Sequence, residues 1–556
     1  MKKAFDFIVV GAGSAGCAVA ARLSERPGLE VLLIEAGPDA NPWTIRMPLA
    51  VDRLLNGTTY NWQFGSEPEP GLQGRAVAHP RGRVVGGSSA INGMVYTRGH
   101  PLDFDDWRDR YGCTGWGYAD VLPYFRRMET APGGSSRYRG GDGPLKVTRP
   151  DPDSNPLNAA FIAAGRELGH PVTDDYNGPK QEGFAVGEQS ILRGERRSTA
   201  VSYLTSEVRR RPNLTILPDC LVERIDLEGK EAVGVTVRVQ GAARAIRARR
   251  EVILSAGAIG SPHLLMLSGI GPGSVLKAAE IPVVLDRPAV GRNLQDHPDL
   301  VIQFGCRQPV TLQRYTSGLG RIVTGVKWFA MRRGVAASNQ FEVAAYLRTR
   351  SGLRKPNIKL EFFPLAISHA DYQPYPQEAF QIHMTLMDSA ARGEVSLRSA
   401  DAATAPVLRF NYLNSDTDMQ TFREAVALTR RLVQASAFAP FAGPEMDPGA
   451  EVQSDAALND WIRSRVSTAY HPSCTCRMGA ADDPQAVVAP DLRVYGIAGL
   501  RVADASVMPH IVAANTNATT IMIGERAADL ALDRPQLPPD RAPYWTGPGH
   551  SPSGAE

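Results

Sequence analysis

The chain is poor in cysteine, in net charge and in long apolar runs, and each shortage removes a class of protein. Six cysteines in 556 residues (Cys17, Cys113, Cys220, Cys306, Cys474 and Cys476) are too few to staple a secreted fold and fit reduced, mostly buried thiols in a cytoplasm. A net charge of +3 argues against a nucleic-acid footprint, and the arginine clusters at 209–211 and 244–250 read as solvated helix ends or turns. No stretch approaches the ~20 consecutive apolar residues that cross a bilayer, which leaves only peripheral membrane contact open. The apolar run after Lys2 and Lys3 is too short for a signal-peptide core and ends in glycines. There is no internal repeat. What remains is a soluble globular composition, 43% hydrophobic, long enough for two domains that can interleave.

Residues 5–35 carry the most information. A strand over 5–10 runs into Gly11-Ala12-Gly13-Ser14-Ala15-Gly16, a helix over 18–23 follows, and a second strand over 31–34 ends at Glu35. Gly11 permits a tight turn, Gly13 puts no side chain between the backbone and a pyrophosphate, and Gly16 lets the helix pack closely on the strand. The helix N-terminus offers free N–H groups and a positive dipole end to that pyrophosphate. Glu35 stands where a carboxylate accepts hydrogen bonds from both hydroxyls of an adenosine ribose and would repel a 2′-phosphate. The pattern predicts a dinucleotide, FAD or NAD ahead of NADP.

Three further stretches belong with it. Residues 251–262 read as a buried strand, a glycine turn and a helix start, and 499–506 as a short strand ending in Asp504, so the cofactor domain is predicted to be discontinuous. Gly86-Gly87-Ser88-Ser89, between apolar Val84, Val85 and Ile91, suits a backbone lying against a flat or anionic ligand. Residues 513–526 open with Asn515, Thr516 and Asn517 and run into a buried helix, whose positive end would stabilise an electron-rich ring edge. Helices are expected over 158–168, 419–434 and 456–463, and strands over 232–239 and 358–363. The loop-rich 37–80 is expected to wrap a ligand, 132–143 to form a surface loop, and the Pro- and Gly-rich tail from 533 to be poorly ordered. Tyr470-His471-Pro472 holds the best candidate base, since histidine titrates nearest neutrality. A structural histidine, or a zinc site with Cys474 and Cys476, competes with that reading; the Cys-x-Cys spacing is poor for tetrahedral zinc, and no metal is expected.

Together these motifs resemble the glucose–methanol–choline (GMC) oxidoreductase family over about residues 5–532. The likeness rests on the opening glycines, on 82–99, on 255–269, and on His471 followed by Asn515. It is strongest toward the choline dehydrogenase branch and related alcohol dehydrogenases, through 91–99, 470–472 and 518–525. The resemblance implies an α/β, Rossmann-like FAD-binding domain (1–149, 196–297 and 466–535), with an α+β substrate domain on an antiparallel sheet (150–195 and 298–465) and a disordered tail (536–556). It implies FAD, bound non-covalently because Ala90 stands where covalent relatives have histidine. The expected cofactor residues are Gly11, Gly13, Ser14, Ala15, Glu35, Ala36, Val84, Gly87, Ser88, Asn92, Gly93, Met94, Val95, Val222, Ala256, Asp504, Ala505 and Thr516. His471 would accept the hydroxyl proton of a primary alcohol, hydride would pass to flavin N5, and Asn515 would hydrogen-bond the substrate oxygen. Glu342 and Tyr470 are the expected substrate residues, Glu342 facing the ammonium group if choline is the substrate; Leu54 lies near the place of an expected cage tryptophan. The electron acceptor is a quinone, oxygen or another carrier, a homodimer is left open, and a cytoplasmic location is expected, with contact to the inner membrane left open. An oxygen-using oxidase of neutral aliphatic or aryl alcohols is the alternative within the family. A non-catalytic nucleotide-binding module or zinc-stabilised scaffold is the alternative outside it.

Overall fold

Apolar residues on consecutive positions, as in Val31–Ile34, make a strand buried on both faces, and such strands assemble into parallel sheets. The structure, a computed structural model, describes residues 4–239, 241–369 and 373–547. In its first sheet the parallel strands run Leu214–Leu217, Val31–Ile34, Ala4–Val10, Ala242–Leu254 and Leu500–Val502. Glu231–Val239 and Leu221–Glu228 extend it antiparallel from the other end of the long Ala242–Leu254 strand. The register sets Val10 opposite Ile34 and Leu254, and Leu254 opposite Val502. The chain therefore leaves four neighbouring strands along one edge, at Gly11, Glu35, Ser255 and Ala503, which is where open α/β sheets bind ligands.

Two helices lie against that edge. Gly11 has φ +97°, and a Cβ on Gly16 would sit 1.9 Å from the Gly11 carbonyl oxygen, so the helix Ser14–Leu23 approaches the turn at glycine distance. The last long helix, Thr516–Ala531, packs on it as closely: a Cβ on Gly524 would lie 2.7 Å from the Ala15 carbonyl oxygen. Buried Glu525 ties the two helices, accepting from Arg22 and from the Tyr203 hydroxyl. Gly16→Val is expected to force helix and turn apart, lowering stability by about 1–3 kcal/mol and reducing cofactor retention, read as a fall in Tm and in bound flavin per chain.

The second sheet is antiparallel, in the order Ala442–Asp447, Pro298–Cys306, Ala379–Leu386, Ile358–Phe363, Val343–Leu347 and Gly183–Val186, with Ser467–Thr468 also pairing to Pro298–Cys306. The fold class is thus the one expected. The predicted helices form at Pro156–Glu167, Asp416–Gln434 and Asp455–Arg465, each starting at a side-chain cap (Asn155, Ser415, Ser454) that period counting alone does not mark.

Three expectations change. Residues 37–80 hold short helices at Trp43–Arg46, Pro48–Ala50 and Val51–Leu55. The arginines of 244–250 lie on the Ala242–Leu254 strand, not at a turn, because the solvated part of a strand accepts long charged side chains. The tail is packed as far as Gly547: Tyr544 is buried, its hydroxyl donates to Asp105, and Trp545 N–H donates to the Pro179 carbonyl. Residues 548–556 lie outside the described residues.

Candidate active site

One cavity of about 590 Å³, within the range of cofactor and small-molecule sites, runs from the glycine edge of the parallel sheet to the antiparallel sheet. Its walls include Gly11, Gly13, Ser14, Ala15, Glu35, Ala36, Gly87, Ser88, Asn92, Gly93, Met94, Val95, Val222, Ala256, Asp504, Ala505 and Thr516, with His471, Asn515 and Tyr470 among the rest. Two expected residues are not on it. Val84 is buried with Ile45, Leu54, Ala90 and the cavity-lining Ile91 in a small apolar cluster. Glu342 is enclosed elsewhere, accepting from Ser154 Oγ (2.6 Å), Asn158 Nδ2 (2.9 Å) and Ser338 Oγ (2.6 Å). Three neutral donors satisfy it, and it lies off the cavity wall where an ammonium ligand was expected. Glu342→Gln should lower Tm and leave the relative kcat/KM of charged and neutral alcohols unchanged. Leu54 likewise stays behind the wall; the tryptophan on the cavity is Trp62, stacked on Phe64 at 5.7 Å.

The sheet-edge end fits a dinucleotide. A Cβ on Gly87 would come within 2.6 Å of Gly13 Cα, so the two glycine turns meet at a distance only backbone allows. Neither Ser14–Leu23 nor Thr516–Ala531 has a side chain capping its first turn, which leaves N–H groups for a ligand. The N-terminus of Gly257–Leu267 is taken by Asp504, which accepts from Gly257 N–H and Ser261 Oγ. Glu35 accepts from Ala12 N–H and Gly37 N–H, both at 3.0 Å, and burial still pushes its carboxyl up to about 7. Ribose hydroxyls donating to this carboxylate would favour its ionised form. Binding then releases a proton, and FAD affinity of the stripped protein should rise with pH until about 7, by up to roughly tenfold per unit below that. Fluorescence titration of apoprotein across this range checks it; Glu35→Gln should flatten the dependence.

At the other end His471 and Asn515 face each other, Asn515 Nδ2 lying 3.1 Å from His471 Nε2. The amide orientation follows from its oxygen, which accepts from Lys359 Nζ (2.7 Å) and Thr97 Oγ1 (3.2 Å). Nε2 of His471 is therefore an acceptor, and its proton sits on Nδ1, 3.0 Å from His297 Nδ1. Burial first, then His297, Lys359 and Arg81, hold the His471 imidazole well below its usual pKa. It rests as a neutral acceptor, the state a proton-abstracting base requires. Tyr470 precedes it at φ +65°, an unfavourable conformation for a tyrosine. Its surroundings enforce that conformation: Thr468 Oγ1 accepts from Tyr470 N–H, Arg81 donates to the Tyr470 carbonyl, and Asp296 accepts from His471 N–H. Cys474 and Cys476 are fully buried, and burial pushes the Cys474 thiol up to about 12.

The wall opposite comes from the antiparallel sheet, and no residue of it was a sequence candidate. Glu361, Phe363, Asp299, Gln381, His383 and Thr385 line the cavity, with Phe341 stacked on Phe363 at 4.9 Å. Both acids are paired: Glu361 accepts from Lys359 Nζ (2.6 Å), and Asp299 accepts from Thr385 Oγ1 (2.7 Å) and faces His383 Nδ1 (2.8 Å).

Comparison with known proteins agrees with this geometry. The N-terminal GMC oxidoreductase family profile matches residues 5–299 and the C-terminal one residues 389–524. An oxygen-dependent choline dehydrogenase of Brucella suis biovar 1 (strain 1330) is 48% identical over 544 residues, 98% of each chain. One of Vibrio vulnificus (strain YJ016) is 45% identical over 549 residues, 99% of this chain and 98% of that one. Among solved structures, pyridoxine 4-oxidase from Mesorbium loti superposes with a TM-score of 0.87 at 34% identity, over 96% of this chain and 100% of that one. Formate oxidase, solved for Aspergillus oryzae RIB40, gives 0.89 at 28%, over 96% and 98%. The glycine cradle, the buried histidine–asparagine pair and these full-length likenesses meet in one conclusion: the chain belongs to the GMC oxidoreductases and is an FAD-dependent alcohol oxidoreductase.

Proposed function

We propose that the protein oxidises a primary alcohol to the aldehyde, with His471 as the base, Asn515 as the hydrogen-bond donor to the reacting oxygen, and FAD held without a covalent link beside them. The observation that carries this reading is the convergence of His471 Nε2 and Asn515 Nδ2 in the cavity that also contains the glycine cradle. Bound FAD supplies the hydride acceptor. The chain's own residues do the rest. A hydroxyl entering between the two side chains meets an acceptor at Nε2 and a donor at Nδ2. His471 draws off the proton as negative charge grows on the oxygen, and the amide N–H stabilises that charge. Gly11, Gly13, Gly87 and the uncapped helix ends would hold the pyrophosphate, and Glu35 the ribose. Ala90, buried behind the wall, offers no atom for a covalent link.

For the substrate, the paired acids favour a neutral alcohol. Glu361 is matched by Lys359 and Asp299 is hydrogen-bonded, so a quaternary ammonium group would find no uncommitted carboxylate there, and Phe341, Phe363 and Trp62 supply apolar contact. Choline is the second reading, favoured by the names of the Brucella and Vibrio relatives. Steady-state oxidation of choline, a linear primary alcohol and benzyl alcohol, each with an artificial acceptor and with oxygen alone, separates them. Higher kcat/KM for the neutral alcohols is expected; a preference for choline would reject the neutral assignment. The same assay tells a dehydrogenase from an oxidase.

A further inference from the structure

Eight large apolar side chains are strongly exposed among the described residues, and six of them stand on one helix, Gly318–Met331: Leu319 (80%), Ile322 (61%), Val323 (63%), Val326 (62%), Phe329 (51%) and Met331 (55%). The opposite side of the helix holds Thr324 and Trp328, both buried, and Trp328 Nε1 donates to the Gly194 carbonyl at 2.8 Å. Leu319, Ile322, Val323 and Val326, at helical spacings of three and four, form one outward stripe. Exposed apolar surface concentrated in this way marks a docking face, since single scattered apolar side chains need no partner but a contiguous patch does.

Charge indicates the partner. Residues 307–341 contain six basic residues (Arg307, Arg314, Arg321, Lys327, Arg332 and Arg333) and no acidic one. Arg332 pairs with Glu195 at 2.7 Å, while Arg314, Arg321, Lys327 and Arg333 are exposed and have no carboxylate partner among the described residues. An apolar stripe in a segment whose own charged residues are all basic is the pattern of a helix lying in the interface of an anionic bilayer. A second copy docked about a two-fold axis would set the same cations against themselves. The helix is also too short to cross: 14 residues rise about 21 Å, and no helix among the described residues is long and apolar enough to span a membrane.

We infer that Gly318–Met331 docks the protein on an anionic lipid surface, its apolar stripe sunk among the acyl chains and its arginines and lysine at the headgroup phosphates. The place of the helix gives the contact a use. Phe329 meets Trp43 edge-on at 5.6 Å, and Trp328 packs in one apolar cluster with Met47 and Ala50; Val51, Asp52 and Leu55, which follow Ala50 in the chain, line the cavity. The bilayer would lie next to a cavity wall, within reach of lipid-soluble alcohols or electron carriers.

Sedimentation of the full-length holoprotein with vesicles tests this independently of the reaction. Binding is expected to phosphatidylcholine–phosphatidylglycerol vesicles, to weaken with salt, and to fall about tenfold or more in Ile322→Glu/Val326→Glu. That variant changes only exposed positions, so its Tm and its turnover with a soluble acceptor should match wild type. No vesicle binding by wild type, undiminished binding by the variant, or equal binding to pure phosphatidylcholine would each overturn the assignment. A dimer in lipid-free solution that the variant abolishes would give the face to a second copy and overturn it as well.

Discussion

His471→Ala is expected to keep its FAD and lose turnover by about 10²–10⁴-fold, the span of a positioned general base. FAD should stay because the cradle formed by Gly11, Gly13, Gly87 and Glu35 lies at the sheet-edge end of the cavity and shares no hydrogen bond with the imidazole. Turnover should fall because Nε2 is the acceptor that Asn515 points at. The pH profile gives a second readout. Burial, then the neighbouring His297, Lys359 and Arg81, hold the imidazole well below 6.5, so the acid limb of kcat/KM should lie below the usual histidine range. The same burial works against stability in acid. As pH falls below the unfolded value near 6.5, the unfolded chain takes up a proton that the folded imidazole refuses, and stability declines until the folded pKa is passed.

Lys359→Met should reduce kcat by about 100-fold, the penalty of a reactive group misplaced by roughly an ångström, although Lys359 need not touch the alcohol. Its ammonium is 2% exposed and donates to both Glu361 Oε1 and Asn515 Oδ1. Burial opposes that charge, but Glu361 outweighs it, and the lysine pKa is raised. Removing it leaves Glu361 buried without its cation, and leaves Thr97 alone to hold the amide oxygen. The amide can then turn over and present oxygen to His471, which disfavours a neutral acceptor at Nε2. A merely structural lysine would change Tm alone. A positioning one should also move the acid limb of the pH profile upward, because a cation near His471 has gone, and Lys359→Arg should recover part of kcat. An unchanged pH profile with normal kcat would remove Lys359 from the account.

The two ends of the site were unequally legible. The cofactor end is written in local sequence: a glycine turn needs glycine whatever surrounds it, and residues 5–35 hold the strand, turn, helix and acid within one short stretch. His471 and Asn515 could be named because each sits in a distinctive segment. Their supports could not, since Thr97, His297 and Lys359 reach them from three distant parts of the chain. The strand over 358–363 shows the cause most clearly. Its alternation was visible, with Ile358, Leu360 and Phe362 on the buried side. A polar alternate face ordinarily looks to water, yet Glu361 and Phe363 look into the cavity and Lys359 reaches Asn515. Period-two patterning places side chains on faces and does not say whether the second face meets solvent or substrate. Glu342 shows the converse: just ahead of the strand Val343–Leu347, its neighbour Phe341 lines the cavity while Glu342 accepts from Ser154 and Asn158, and no periodicity in the sequence separates the two.

The most direct measurement is a single turnover without oxygen. Purified holoprotein, mixed anaerobically with excess primary alcohol, should lose its visible flavin absorbance and release one aldehyde per flavin, while His471→Ala with the same flavin content should bleach at least about a hundredfold more slowly. Bleaching of the variant at the wild-type rate, or a wild-type flavin that no alcohol reduces, would contradict the assignment of this cavity as the place where the alcohol is oxidised.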